Sequence, residues 1–526
     1  MTSPANTRLP ISDDVEAVLP AAISRAHNWL KSTADEEDKA TEQLADLLRD
    51  EDGVKFTMDF VDRVMRPEDD KVAAHALKDI SSHYDPSFLG SINGALVGAG
   101  GFFGPILPNL VMPITRIYMR KMVGHLVLDA ESESLNKTLD KAAESGEQLN
   151  LNLLGEAVLG EAEAKSRAER TLKLIQNPRV TYVSVKASSM VAQLNQWDID
   201  GSVERLKERL RPLYEEAARR NPQVFINMDM EEYHDLHLTI RLFKELMSEP
   251  EFKNLESGIV LQAYLPDTFD ALKDIAEFAK KRVAEGGAKV KVRIVKGANL
   301  SMETVQGEVH DWPLATYTNK LDVDANYYRL LDFILREEYA DSVRIGVATH
   351  NLYTAAMAYE LGKKRGVLHM MDSEMLQGMS PAQQAAVRKV FDGRQILYTP
   401  VVHAEDFDVA VSYLVRRLEE NSAPQNFLYA LFAPGEEPLA DQEETFRRAV
   451  AKRWDTFAGA RRTQNRLEED GRQAPRTGRF TNEADTDPAL AANRQWALEA
   501  LKRNPGEHGI REVTDPAAVE GHIARA

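Results

Sequence analysis

The stretch V-K-V-R-I-V-K-G-A-N-L, residues 290–300, carries the clearest structural signal in this chain. Valine and isoleucine alternate with Lys291 and Arg293, and such alternation predicts a strand. Gly297 closes the run and allows the backbone to approach another group closely. Because buried cations need partners, we predict that Arg293 and Lys296 face an anionic or electron-rich ligand at the carboxyl end of the strand. Structural ion pairs are the alternative.

Around this strand, the chain alternates between short β-type runs and amphipathic helical stretches, eight of each. The predicted strands are 149–154, 181–185, 224–228, 259–265, 290–295, 343–348, 367–371 and 395–401. The predicted helices are 164–175, 203–218, 236–247, 269–284, 325–337, 355–361, 381–390 and 406–420. Strict alternation is typical of an α/β protein with a (β/α)8 TIM-type barrel. An open doubly wound sheet is the alternative, but its dinucleotide fingerprint G-x-G-x-x-G is absent. Counted from Gly98, the third glycine of that motif would fall at position 103, which is Phe103.

At 526 residues the chain exceeds what one hydrophobic core usually serves, so additions to the barrel are expected. The predicted regions are an N-terminal helical arm (1–85), a helical linker region packing on the barrel (86–145), the barrel itself (146–423) and a C-terminal extension of helices and linker (424–526). Helical spacing outside the barrel is clearest at 40–48, 56–65 and 114–128. The polar stretch 464–487 is the predicted linker or mobile surface segment.

Residues 86–115 contain no charged side chain. A membrane-spanning helix needs about 20 predominantly apolar residues, and the many glycines and prolines of this segment argue against a span. The expected alternatives are a buried packing segment and a peripheral contact with a membrane.

The composition excludes several classes of function. A formal net charge of -18 argues against nucleic acid as a partner. The chain has no cysteine, which excludes disulfides, thiolate metal sites and a cysteine nucleophile, and suits a cytoplasmic protein. The first ten residues lack the apolar core of a signal peptide.

Active sites of such barrels lie at the carboxyl ends of the strands. The residues at those ends, with those of the last helix, are Glu156, Lys186, Asp229, Gln262, Arg293, Lys296, Gly297, Thr349, His350, Asn351, Leu376, Tyr398, Arg416, Arg417 and Glu420. Cations outnumber acids among them, which favours an anionic ligand. The pair Arg416–Arg417 suits a carboxylate or a phosphate, and a solvated helix face is the alternative.

A metal site is a weaker hypothesis. His234 and His237 stand one helical turn apart beside Glu231, Glu232 and Asp235, but no third ligand follows at a telling spacing. A zinc- or magnesium-dependent barrel enzyme is therefore the second mechanism considered, and no metal is expected. The chain contains neither a G-x-S-x-G motif nor a P-loop.

Six motifs resemble a known family. They are V-S-V-K-A-S-S (183–189), N-M-D-M-E (227–231), L-Q-A-Y-L (261–265), R-I-V-K-G-A (293–298), A-T-H-N (348–351) and Y-L-V-R-R-L-E-E-N (413–421). In this order they resemble the flavin-dependent proline dehydrogenases, above all the proline dehydrogenase half of bacterial proline utilization A, over roughly residues 50–490. Residues 481–488 resemble the entry into the aldehyde dehydrogenase half of that enzyme. The half itself has no counterpart here, nor has its DNA-binding domain, and an aldehyde dehydrogenase half on a longer natural chain is an expected partner.

The resemblance implies FAD across the barrel mouth and oxidation of L-proline to Δ1-pyrroline-5-carboxylate, with hydride transfer to flavin N5. The implied FAD-binding residues are Asp229, Gln262, Arg293, Val295, Lys296, Gly297, Ala298, Thr349, His350, Asn351 and Glu420. The residues implied for substrate binding and catalysis are Lys186, Arg416 and Arg417 on the carboxylate, Leu376 and Tyr398 on the ring, and Asp229 in support. Electrons are expected to pass to a quinone at the inner face of the cell membrane.

Three further expectations concern the same site. Family members often carry two aromatic residues after K-G-A, whereas Asn299 and Leu300 stand here and are expected near the flavin. An ion pair between Glu156 and Arg416 is predicted to gate the site, with simple charge balance as the alternative. An inactive or regulatory barrel that only binds a carboxylate is the alternative to an enzyme.

Overall fold

The computed structural model describes residues 13–33, 51–67, 69–84, 100–123, 126–130, 132–155, 158, 160–403, 406, 410, 413, 417, 420–421, 423–433, 435, 437–469, 482–503 and 515–525. The predicted helix 40–48, most of the predicted helix 406–420, Glu156 and Arg416 lie outside these residues.

Eight parallel strands close into a barrel in which each strand pairs with the next along the chain and the last pairs with the first. The barrel strands are β2 (Gln148–Leu153), β3 (Tyr182–Lys186), β4 (Phe225–Asp229), β5 (Ser257–Gln262), β6 (Val290–Val295), β7 (Val343–Ala348), β8 (Met371–Leu376) and β9 (Gln395–Val402). A short additional strand, β1 (Leu128–Asp129), pairs with Val401 and Val402 of β9. The predicted (β/α)8 barrel is confirmed, and the open-sheet alternative is wrong because β9 pairs with β2.

Helices follow the strands and surround the barrel. Those of the barrel region are Glu161–Gln176, Ile199–Arg219, Leu236–Met247, Thr268–Ala284, Leu300–His310, Lys320–Ile334, Glu337–Ala340, Leu352–Lys364 and Pro381–Val390. Those before and after it are Asp13–Thr33, Glu51–Phe60, Asp70–His83, Pro108–Val123, Ser132–Ser145, Phe427–Phe432, Glu437–Lys452, Ala491–Leu501 and Pro516–Ile523. Side-chain caps begin several of them; Asn319 and Asn351, for example, accept the N–H groups of Asp322 and Thr354.

The alternation in β6 places two kinds of side chain on opposite faces. Val290, Val292 and Ile294 are buried against the surrounding helices. Burial of such an aliphatic side chain contributes about 1.5–3 kcal/mol. Lys291 and Arg293 point into the barrel, where carboxylates of β4 and β8 balance them. The barrel interior is therefore charged near its centre.

The structure corrects two predicted elements. The seventh barrel strand is Met371–Leu376, whereas 367–371 was predicted, and Leu368–Met370 is a single 3-10 turn. The two acidic residues of M-D-S-E-M-L made this segment look unlike a buried strand. Their cationic partner, Lys291, lies on β6 and is not visible in the local sequence. The predicted helix 114–128 runs instead over Pro108–Val123, and Leu128 belongs to β1.

The N-terminal helix Asp13–Thr33 packs on the barrel. Ala22, Ala26 and Trp29 belong to the core shared with the barrel, and Arg25 Nε donates to Glu360 at 2.6 Å. The helices between residues 51 and 123 bury a separate small core that includes Phe60, Leu77, Ile80 and Met112.

A group of large apolar side chains is exposed between residues 102 and 114. These residues, the apolar patch, are Phe102, Phe103, Ile106, Leu107, Leu110 and Ile114, all at least half exposed. The interpretation of this stretch as buried packing is wrong for these six residues. Among the described residues, no helix is both long and apolar enough to cross a membrane.

The C-terminal extension is anchored to the barrel. Arg462 Nε donates to the carbonyl of Pro313 in the barrel region at 3.1 Å, and its guanidinium forms a buried ion pair of 3.5 Å with Asp487 of the same extension. The backbone N–H of Asp485 donates to His310, and Arg466 donates to Ala484. The ends of the predicted linker 464–487 that the structure describes are thus tied down by hydrogen bonds although many of their residues are exposed, and residues 470–481 lie outside the described part of the chain.

Candidate active site

A cavity of about 340 Å³ opens at the carboxyl ends of the barrel strands. Every barrel strand contributes to its wall, as expected for this fold. Of the residues predicted from the sequence, those that line it are Lys186, Asp229, Gln262, Arg293, Val295, Lys296, Gly297, Ala298, Thr349, His350, Asn351, Leu376, Tyr398, Arg417 and Glu420. The structure therefore brings together predicted residues from seven strands or their ends and from the segment after β9.

The centre of the wall is an ion pair between Arg293 and Asp229. Arg293 Nη2 lies 2.7 Å from Asp229 Oδ1, and the hydroxyl of Tyr398 donates to Oδ2 at 2.9 Å. Burial disfavours the charged guanidinium, but the charges of Asp229 and Glu374 outweigh it and hold the pKa of Arg293 above its ordinary value. Burial and Asp229 also raise the pKa of Tyr398 well above its usual 10, so the phenol stays protonated and keeps donating.

The end of β6 combines a cation with a backbone that requires glycine. Lys296 lies 2.5 Å from Asp324. Burial nevertheless lowers the pKa of Lys296 to about 8. Gly297 has φ of 123°, and a Cβ there would lie 2.4 Å from the Tyr264 ring. The close approach predicted for this glycine is therefore to Tyr264.

His350 is neutral and is oriented by the neighbouring strand. The backbone N–H of Leu376 donates to His350 Nε2 at 2.9 Å, which leaves the ring proton on Nδ1. Burial lowers the pKa of His350 to about 4. Nδ1 has no hydrogen-bond partner among the described residues, so it offers a donor to a ligand.

Two cations at the other side of the cavity each contact a glutamate. Lys186 Nζ lies 3.3 Å from Glu231, which also accepts from Ser188, and Arg417 Nη1 lies 2.7 Å from Glu420. Arg417 Nε has no hydrogen-bond partner within the described part of the chain. Both cations can thus contact an anionic group that enters the cavity. Arg416, the other half of the predicted clamp, and its predicted partner Glu156 lie outside the described residues.

Several lining residues were not predicted from the sequence. Glu374, Lys320 and Asn421 line the cavity. The period of two in β8 was a usable signal for Glu374, since Asp372, Glu374 and Leu376 share one face of that strand. Of the two positions after K-G-A, Asn299 lines the cavity, whereas Leu300 is 51% exposed and begins a helix outside it.

The alternative metal site finds no support in the geometry. No group of three His, Asp or Glu side chains within the described ranges is placed to hold a metal ion. His234 lies instead near Gln306 and Asp235, at 3.2 and 3.4 Å.

Comparisons with known proteins point to one family. A family model described as proline dehydrogenase matches residues 135–430. The solved structure of proline utilization A (PutA) from Corynebacterium freiburgense is 53% identical with a TM-score of 0.67, over 80% of this chain and 41% of that one. The bifunctional protein PutA of Klebsiella aerogenes is 28% identical over 374 residues, 67% of this chain and 27% of its own length. Proline dehydrogenase of Deinococcus radiodurans is 26% identical over 266 residues, 48% of this chain and 77% of its own length.

The fold and the cavity define a (β/α)8-barrel enzyme whose site lies at the carboxyl ends of its strands. The chain belongs to the proline dehydrogenase family, since the family model matches more than half of its residues, and it resembles the proline dehydrogenase part of PutA. Members of this family are oxidoreductases that act on proline. The chain spans only 27% and 41% of the two PutA proteins above.

Proposed function

We propose that this chain oxidises L-proline to Δ1-pyrroline-5-carboxylate with FAD as its bound cofactor. The observation that carries the proposal is one cavity that combines free hydrogen-bond donors and an acceptor with a cationic region beside Leu376 and Tyr398. When bound, FAD supplies the hydride acceptor, at its N5 atom, for the ring carbon beside the proline nitrogen.

The polar groups of the cavity fit a flavin. Gln262 Oε1, Arg293 Nε and His350 Nδ1 have no hydrogen-bond partner among the described residues. An isoalloxazine ring carries acceptors at its carbonyl oxygens and ring nitrogens and one N–H donor, so two donors and one acceptor are chemically suited to it. The residues proposed to hold FAD are Asp229, Gln262, Arg293, Val295, Lys296, Gly297, Ala298, Thr349, His350, Asn351 and Glu420.

The part of the cavity near Lys186, Arg417, Leu376 and Tyr398 is proposed to bind proline. Lys186, Arg416 and Arg417 bind its carboxylate through charge-assisted hydrogen bonds, and Leu376 and Tyr398 pack on its ring. Asp229 orients Tyr398 through the 2.9 Å hydrogen bond. Holding both the carboxylate and the ring would orient the reacting carbon of proline towards the bound cofactor. Glu156 is proposed to pair with Arg416 and cover the ligand.

Electrons are proposed to leave the site to a quinone at a membrane surface. The apolar patch at residues 102–114 supports contact with a membrane, because it exposes large side chains within a stretch that lacks charge. An aldehyde dehydrogenase half on a longer chain is proposed from the relatives named as bifunctional.

The test is the colour of the purified protein. We expect a yellow protein that absorbs near about 450 nm and bleaches without oxygen when L-proline is added, with a product two hydrogens lighter than proline. Lys186→Met should retain FAD and bleach far more slowly, whereas the exposed control Lys137→Met should match the wild type. A protein that binds no FAD, or binds it and is not reduced by proline, contradicts the proposal, and the second result favours a barrel that only binds carboxylates.

A further inference from the structure

Glu374 on β8 lies between two cations of β6. Its Oε1 is 2.6 Å from Lys291 Nζ, and its Oε2 is 3.7 Å from Arg293 Nη1. Glu374 is 2% exposed and Lys291 is fully buried. Unlike the deeper Asp372, which pairs with Lys291 at 3.0 Å, Glu374 reaches the wall of the cavity.

The neighbouring strand β7 makes room for this arrangement. A Cβ at Gly346 would lie 2.1 Å from Glu374 Oε1 and 3.0 Å from Lys291 Cε. Any larger residue at position 346 would displace the buried pair. Since a buried ion pair is costly unless its geometry is good, a glycine that leaves space for it indicates that the pair is a built feature of the barrel.

We propose that Glu374 is a positioning residue that sets the electrostatic field of Arg293 at the flavin. Arg293 Nη2 contacts Asp229 and Nη1 faces Glu374 at 3.7 Å, while Nε and Nη1 have no hydrogen-bond partner among the described residues. Glu374 thus offsets the charge of Arg293 without occupying the edge that faces the ligand. The inference rests on the proposed binding of FAD.

The sign of the effect follows from charge. Reduction by a hydride adds negative charge to a flavin, so an uncompensated cation beside it favours the reduced form. Inside a barrel, water screens such charges weakly. Glu374 therefore holds the reduction potential below the value that Arg293 and Lys291 would otherwise impose.

The experiment compares Glu374→Gln with Asp372→Asn. Each substitution removes one buried carboxylate charge from Lys291, but only the first removes the charge that faces Arg293. The potential of the bound flavin is measured against a reference dye, and the dissociation constant of FAD by fluorescence. For Glu374→Gln we expect at least a tenfold shift of the redox equilibrium towards reduced flavin, about 30 mV for a two-electron couple. For Asp372→Asn we expect less than a threefold shift.

Glu374→Asp serves as the conservative variant. It keeps the charge, so its redox equilibrium should stay within threefold of the wild type. If Glu374→Gln does not retain FAD, the redox equilibrium of Glu374→Asp decides whether the inference stands. Equal shifts in Glu374→Gln and Asp372→Asn, no shift in Glu374→Gln, or a tenfold shift in Glu374→Asp would each overturn the inference. A wild-type protein that binds no FAD refutes the proposed function, and the inference falls with it. A wild type reduced by proline, with any of the three contrary results, refutes the inference alone.

Discussion

Arg293 is held by two carboxylates from different strands, Asp229 on β4 and Glu374 on β8. Its guanidinium carbon also lies 4.8 Å from the centre of the Tyr398 ring. One side chain therefore links the region proposed for FAD with the ring proposed to pack on proline. At the scale of single residues, the site depends on charges that are balanced in pairs.

The carboxylate clamp gives the first prediction. Arg417→Met should raise the KM for proline strongly, since loss of one partner from a desolvated charge pair costs about 2–5 kcal/mol. Arg416→Met should act in the same way. Steady-state kinetics with L-proline measure the effect, and the control is Arg447→Met, which removes an arginine that pairs with Glu443 on the helix Glu437–Lys452. Unchanged proline kinetics in both variants would contradict the role of these two arginines in binding the carboxylate.

His350 gives a prediction about pH. Its pKa falls from 6.5 to about 4 because the ring is buried, so between these values the unfolded state binds more protons than the folded state. The contribution of His350 to the free energy of unfolding is complete above pH 6.5 and falls as the pH drops towards 4. We expect His350→Asn to weaken this dependence in urea unfolding of the FAD-free protein at pH 7 and pH 4.5. The exposed His369→Asn should leave it unchanged, and equal pH dependence in wild type and His350→Asn would contradict the assignment.

At the scale of elements, β6, β7 and β8 form one unit inside the barrel. Their inward residues are the cations Lys291 and Arg293, the small Gly346, and the acids Asp372 and Glu374. The strand ends then carry the loops that line the cavity. Beyond β6 the chain turns at Gly297 into the helix Leu300–His310. The ring of Tyr264, which follows β5, packs against this turn.

The turn after β6 gives the third prediction. Gly297→Ala should destabilise the protein roughly twice as much as Gly366→Ala. Both glycines have positive φ, for which a side chain costs about 1–2 kcal/mol. Gly366 has open space around it, whereas Gly297 faces the Tyr264 ring, so only Gly297→Ala adds a clash. Thermal unfolding measures both, and equal losses would show that the Tyr264 contact relaxes freely.

The apolar patch gives the fourth prediction. Phe102→Ser with Ile106→Ser should weaken binding to phosphatidylcholine vesicles by at least tenfold, because each large apolar side chain contributes about 1.5–3 kcal/mol when it leaves water. Cosedimentation with vesicles measures the change. Val309→Ser, which removes a 71% exposed side chain from a different helix, should have no effect. Equal binding by all variants would show that this patch does not contact lipid.

At the scale of the whole molecule, the N-terminal helix and the C-terminal extension both contact the barrel. Arg453, 2% exposed, connects Asp332 of a barrel helix with Glu16 of the N-terminal helix at 3.0 Å each. Arg462 links the C-terminal extension to the barrel region by donating to the carbonyl of Pro313, and it pairs with Asp487 of the same extension. The site therefore lies in a barrel whose helices are held by contacts with the N-terminal helix and the C-terminal extension.

The composition of the whole chain gives the last prediction. This chain should not produce NADH from the semialdehyde form of the product, because it contains no cysteine nucleophile and no dinucleotide fingerprint. An absorbance assay with NAD⁺ measures this, with proline oxidation by an electron-accepting dye as the positive control. NADH formation by the purified chain would contradict the prediction.

The barrel and most of its mouth could be predicted from local pattern, because strand alternation and strand ends are written in neighbouring residues. Arg293, Asp229, His350 and Tyr398 were found in this way, and the cavity contains all four. The pairing of residues on distant strands could not be predicted in this way. The period of two marks the face of β8 on which Glu374 lies but not its partners Lys291 and Arg293 on β6, and the partner of Gly297 is a tyrosine that follows β5. Burial makes an isolated charge unfavourable and a paired one acceptable, and only the closed barrel decides which charges become pairs.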